Sequence, residues 1–333
     1  MAIIVPIASG KGGVGKSVLA ANLGVALAQA GKTTVLVDLD LGGANLHTLL
    51  GLKNRSAGIG GLVRRTETGL DGLVVETAVP KLHFIPGDTL LVGAANPEFY
   101  VKQRILRGLA GLTADFVVLD LGAGSAFNTV DFFLAAPSGL VVTLPEITAV
   151  LNAYSFIKTA AFRSLLRAFP AKSPERLRIE AFADRRIEGT ADTLSGLRRS
   201  LAADYPATAP AALEKAAELR PLVVINQGES FADLAICRRL RTISVEHLGV
   251  APEFIGFCPR DPAVPRSVAA RRPVLLSGID GPFARSVRDI AERLVERGAG
   301  PPPPPAVDDA DLRAVAAPAL GQAAARAFGP EGK

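Results

Sequence analysis

At 333 residues, 49% of them hydrophobic and 21% charged, the chain is long enough for one large α/β domain with attachments and too apolar for a disordered one. Aromatic residues make up only 5% and tryptophan is absent, so small aliphatic side chains must supply most of the core. The net charge of +5 is compatible with an anionic membrane or nonspecific DNA and requires neither, and two cysteines, Cys237 and Cys258, exclude a disulfide framework and read as free thiols.

The chain enters an apolar strand, Ala2–Ile7, without the charged and apolar segments of an export signal, so a cytoplasmic location is expected. Next come Gly10, Lys11, Gly12, Gly13, Val14, Gly15, Lys16 and Ser17, and a helical pattern opens at Val18. The spacing Gly-x4-Gly-Lys-Ser between a strand and a helix is a phosphate-binding loop: glycines permit the turn, and the helix N-terminus favours an anion. Lys16 is expected on the β/γ-phosphates and Ser17 as a direct Mg²⁺ ligand.

The additional Lys11 makes the loop resemble the deviant Walker A motif of the MinD/ParA group of ATPases. The resemblance implies ATP and Mg²⁺ as cofactors, a homodimer formed with ATP, and a Lys11 that reaches the partner's nucleotide, so that Lys11, Lys16 and Asp40 are the catalytic set.

The next strand, Thr34–Asp38, continues to Asp40, and alternation places Asp38 and Asp40 on the same side of its end. By resemblance Asp38 belongs to the metal shell through water, Asp40 positions the attacking water, and residues 41–46 form switch I. A strand at Leu82–Pro86 is followed by the apolar run Phe116–Asp120, which suits a strand buried on both faces. Here Asp120 matches the Walker B aspartate, holding Mg²⁺ through water, and Gly122 opens a switch II loop of the form Gly-Ala-Gly that looks closest to the MinD/FlhG branch.

The pattern at Leu140–Leu144 gives another strand, and Pro137, Gly139, Pro145 and Glu146 break the apolar stretch around it, so it does not span a bilayer. Residues 162–220 depart from the compact family pattern. They read as a helical insertion that packs over the nucleotide face, docks a partner, or is a plain solvated elaboration. Strands at Leu222–Asn226 and Phe254–Phe257 follow, with Asn226 and Pro259 expected on the base side of the nucleotide.

The resemblance covers residues 1–298. Residues 299–333 carry Pro301–Pro305 and an Ala-rich end, read as a flexible or partner-binding tail, or as a weak membrane-targeting helix bearing Leu312, Val315, Leu320 and Phe328. Arg238, Arg239 and Arg241 cluster near a helix end, and Arg260, Arg266, Arg271 and Arg272 follow along the C-terminal segment, the basic residues on which a DNA-binding reading rests. The iron–sulfur relatives that share this loop are excluded because no closely spaced cysteine pair is present. The expected fold is α/β, a mainly parallel sheet with helices on both faces, of the P-loop type. The implied function is an ATPase switch that positions or assembles a cellular structure with an unidentified protein partner. The alternatives are a partitioning ATPase on DNA and a nucleotide-gated scaffold that hardly hydrolyses ATP.

Overall fold

The computed structural model describes residues 2–40, 43–53, 58–63, 69–87, 99–187, 193–298 and 309–320. In chain order the nucleotide-proximal half contains β1 (Ile3–Ala8), α1 (Lys16–Gln29), β2 (Thr34–Leu39), α2 (Leu46–Leu49), α3 (Gly58–Val63), β3 (Val75–Glu76), β4 (Leu82–Ile85), α4 (Phe99–Gly111), β5 (Phe116–Leu121), α5 (Phe127–Phe133), β6 (Leu140–Thr143) and α6 (Ile147–Ala168). The remainder contains α7 (Pro174–Ile187), α8 (Leu194–Asp204), α9 (Ala209–Ala216), β7 (Leu222–Gly228), α10 (Ala232–Leu248), β8 (Glu253–Pro259), α11 (Ala263–Ala269), α12 (Pro282–Arg297) and α13 (Ala310–Leu320).

The strands form one sheet in the order β3-β4-β2-β5-β1-β6-β7-β8, parallel except for β3 against β4. All seven strands read from the sequence are present. The addition, β3, has only two residues at the sheet edge, too few for a periodic signal. The central strands are apolar on both faces because helices cover both: in β5, Val117, Leu119 and Leu121 pack on one side, and Phe116 and Val118 on the other. The shortage of aromatic residues is met by close helix approach. In α1, the run Leu19–Ala28 is wholly buried, and a Cβ on Gly24 would come within 3.3 Å of Leu82.

Of the readings open for residues 162–220, packing over the nucleotide face is the one from which the structure departs. The first of these residues complete α6, and α7 to α9 pack on α6, α10 and one another. The connection is pinned by Arg220 N–H donating to Pro137 O at 2.9 Å. The Arg198 guanidinium donates to Ala216 O (3.1 Å) and Gly249 O (3.5 Å), so one cation serves the carboxyl ends of α9 and α10.

The stretch expected as a flexible tail also differs. Residues 310–320 form α13 against β8, with Leu312, Val315 and Ala316 buried there, so the apolar face expected for lipid packs on the protein's own sheet. Pro301–Pro305 and Phe328 lie outside the described residues. Among the described residues, no helix is long and apolar enough to cross a membrane.

Candidate nucleotide site

The loop between β1 and α1 sits at the carboxyl edge of the sheet, where parallel α/β proteins bind ligands. Its glycines have distinct reasons. Gly13 and Gly15 adopt φ of 82° and 85°, a region costly for a residue with a Cβ. A Cβ on Gly12 or Gly13 would meet nothing within 4 Å, so space stays open above the loop. Gly10 instead serves packing: a Cβ there would lie 2.1 Å from Asn152 O on α6.

Lys16, the first residue of α1, is buried, and its Nζ lies 2.5 Å from Asp120 Oδ1 and 3.4 Å from Ser17 Oγ. Lys16, Ser17 and Asp120, expected on the phosphates and around the metal, therefore meet beneath the loop. Burial pushes the Asp120 carboxyl up, opposed by the Lys16 ammonium and the Ser17 hydroxyl. Asp38 is its register partner across β2 and β5. No part of Asp38 is exposed. Its Oδ1 accepts Asp40 N–H at 3.2 Å and its Oδ2 accepts Leu46 N–H at 3.1 Å. Burial first, and then the Asp120 charge, raise its pKa to about 7. Its carboxylate thus holds the backbone at both Asp40 and Leu46.

Asp40 stands at the end of β2 between two glycines. A Cβ on Gly122 would come within 3.3 Å of Asp40 Oδ1, and one on Gly43 within 3.6 Å. The carboxylate therefore faces both segments expected to act as switches. Gly124 N–H donates to Ser9 O at 2.9 Å, which ties the second of them to the phosphate loop.

Lys11 points away from this cluster. Its Nζ lies 3.2 Å from Oε2 of Glu146, the residue that opens α6, and the next turn of α6 presents Ile147 and Leu151 to solvent. In the sequence Glu146 stands out only as a charge that breaks an apolar stretch. Nothing in the spacing signalled its pairing 135 residues away.

Gly15, Val18, Asn226 and Pro259, the residues expected on the phosphate loop and the base side, line one cleft of about 480 Å³. Asn226 Nδ2 donates to Val14 O at 2.7 Å, so this side chain braces the phosphate loop as well as bounding the cleft. Asp261 was missed. Its Oδ1 accepts Ala263 N–H at 2.8 Å and its Oδ2 accepts Phe283 N–H at 3.2 Å, which fixes the starts of α11 and α12 around the cleft. Cys237 and Cys258 are buried, and burial raises both thiols to about 12, so they are inert.

A parallel sheet carrying this loop, with a buried Lys-Asp-Ser cluster below it, defines a P-loop nucleotide-binding protein. The chain belongs to the CobQ/CobB/MinD/ParA nucleotide-binding family, whose model matches residues 5–274. Among curated relatives, a putative septum site-determining protein MinD from Guillardia theta is 39% identical over 157 residues, covering 46% of this chain and 56% of that protein. The flagellum site-determining protein YlxH of Helicobacter pylori is 35% identical over 161 residues, covering 46% of this chain and 52% of that protein. The chain thus spans about half the length of the curated relatives it matches. Among solved structures, MinD from Pyrococcus horikoshii, complexed with Mg-ADP, has a TM-score of 0.62 at 20% identity, covering 90% of this chain and 98% of that one. A ParA family ATPase from Chlorobium tepidum has a TM-score of 0.58 at 18% identity, covering 88% and 100%. These two likenesses establish the fold.

Proposed function

We propose that the chain is an ATP-dependent dimerising switch that hydrolyses ATP with Mg²⁺ in the cytoplasm to control the position or assembly of a cellular structure. The observation that carries this reading is the division between its two loop lysines. Lys16 sits with Ser17 and Asp120 inside its own site, whereas Lys11 is directed outward to Glu146 on the exposed start of α6.

With nucleotide bound, the Lys16 ammonium would turn from Asp120 to the β/γ-phosphates, Ser17 Oγ would hold the metal directly, and the Asp120 carboxylate would hold it through water. Bound Mg²⁺ supplies charge neutralisation at the phosphate oxygens. Asp40, held between Gly43 and Gly122, orients the attacking water, and Gly122 places switch II beside it. Lys11, exchanging Glu146 for the phosphates of a second subunit, adds positive charge where negative charge develops. Asn226 and Pro259 bound the base, and Gly10, Gly12, Gly13, Val14, Gly15 and Val18 shape the loop that receives the phosphates.

The curated relatives, a putative septum site-determining protein and a flagellum site-determining protein, support a positioning role over partition on DNA. Of the seven arginines on which the DNA reading rests, Arg238 and Arg241 both pair with Asp309. A scaffold that binds ATP without chemistry is the reading that single-turnover hydrolysis decides. A chemical step that is lost in Lys11→Ala while ATP binding persists supports the switch. Turnover of Lys11→Ala at the wild-type rate removes the cross-dimer role.

A further inference from the structure

Among the described residues, Gln227 is the one member of a strand whose backbone enters the left-handed region. Its φ is 55°, and the other non-glycine residues with positive φ, Lys81, Lys172, Arg271 and Asp309, all lie between elements. The sheet explains how it arises. Across β7 and β8, Asn226 pairs with Cys258 and Gly228 with Pro259, so Gln227 is an extra residue that bulges from the pairing. Its neighbours hold the bulge in place. Arg260 N–H donates to Gly228 O at 3.0 Å, and a Cβ on Gly228 would lie 2.1 Å from the Phe257 ring.

Regular alternation sends consecutive residues of a strand to opposite faces. Here Asn226 and Gln227 both line the base cleft. A bulge re-aims a side chain in this way, and a backbone conformation that is costly for a residue with a Cβ points to use of that side chain. The other polar side chains lining the cleft are already engaged. Asn226 Nδ2 donates to Val14 O, both Asp261 oxygens accept backbone N–H groups, and Arg260 pairs with Glu229 at 2.9 Å. The Gln227 carboxamide alone among them has no partner among the described residues, and much of the surrounding wall is apolar, with Val18, Val264 and Phe283 in it.

A carboxamide presents a hydrogen-bond acceptor and a donor side by side. Adenine offers the complement, N6–H beside the N7 acceptor, whereas guanine carries two acceptors on the same edge. We propose that Gln227 reads the base of bound ATP, accepting from N6–H and donating to N7, and so selects adenine over guanine. This rests on the nucleotide reading of the cleft and adds to it the residue that chooses the base.

The test measures, by calorimetry with Mg²⁺, the binding of ATP, 7-deaza-ATP, GTP and inorganic tripolyphosphate to the full chain, to Q227G and to Q227E. Glycine adopts this φ without cost, so Q227G removes the carboxamide and keeps the bulge. The parent is expected to bind ATP roughly tenfold more tightly than either 7-deaza-ATP or GTP, the scale of one paired base edge. Q227G should bind all three nucleotides alike and hold tripolyphosphate as the parent does. Q227E can accept from N6–H but cannot donate to N7, so it should prefer 7-deaza-ATP to ATP, an inversion that a merely structural role does not produce. Equal binding of the three nucleotides by the parent, or the parent's preference retained in Q227G, overturns the proposal and leaves the nucleotide reading standing. Tripolyphosphate affinity lost in Q227G assigns the residue to the phosphate loop and also overturns it. A parent that binds no triphosphate overturns both readings. Should Q227G fail to fold, the inversion in Q227E decides, and its absence contradicts base reading.

Discussion

Lys16 Nζ and Asp120 Oδ1 lie 2.5 Å apart, in a pair whose side chains are both buried. The pair compensates each buried charge with the other, and under the proposed mechanism Lys16 leaves it for the phosphates. Lys16→Met should abolish ATP binding. Without ligand it should also destabilise the protein by about 3–5 kcal/mol, the usual cost of leaving a buried charge without its partner. The loss should shrink in acid. The Asp120 carboxyl is already raised by burial, and without Lys16 it stays protonated to higher pH, so the penalty is absent below the ordinary carboxylate range and grows as pH rises. Chemical denaturation of the variant and the parent across pH 4 to about 8 checks both the size and the slope.

Asp38 should behave with the same sign. Its pKa rises from 3.8 unfolded to about 7 folded, so ionising it costs stability that is lost progressively between those values and fully lost above the upper one. Asp38→Asn should leave stability unchanged at about pH 4 and raise it on the order of 2 kcal/mol at pH 8, after allowance for one impaired N–H contact. A stability difference independent of pH would mean that Asp38 is ionised throughout.

Gly10→Ala should be costly for a reason unrelated to phosphate. The new Cβ would lie 2.1 Å from Asn152 O, and backbone on both sides must move. Overpacking of this kind costs typically about 1–3 kcal/mol. Thermal denaturation without nucleotide should show the loss, whereas Gly12→Ala, in open space, should leave the midpoint almost unchanged.

Glu146→Gln should leave stability unaltered, because its pair with Lys11 is exposed and such pairs contribute little. It should instead shift ATP-dependent dimerisation to lower protein concentration, since Lys11 no longer gives up a partner in moving across. Sedimentation velocity with ATP and Mg²⁺ reads this shift. Identical association of variant and parent would show that the pair does not restrain Lys11.

Much of this site was legible because its chemistry is written in contiguous residues. The phosphate loop is one uninterrupted run, and Asp38, Asp120 and Asn226 each end or nearly end an apolar strand whose register the sheet dictates. What was hidden depends on distant pairing. Glu146 meets Lys11, and Asp261 serves two helix starts, through folding that no local spacing encodes. The reason for Gly10 lies on α6 rather than in the loop. The tail misled because an Ala-rich helix interrupted by proline has little burial of its own to announce. Its docking rests on Asp309 and Asp311 meeting arginines about 70 positions earlier in the chain.

The central claim is that Lys11 acts in the partner's site, and mixing two inactive variants tests it most directly. Lys11→Ala keeps Asp40 but lacks the lysine, and Asp40→Ala keeps the lysine but cannot position water, so each alone should bind ATP and hydrolyse it poorly. In an equal mixture half the dimers are mixed, and each mixed dimer has one complete site. ATP turnover should therefore return to about a quarter of the parent rate. If the mixture stays inactive while both proteins bind ATP and form dimers together, Lys11 works within its own subunit and the account is wrong.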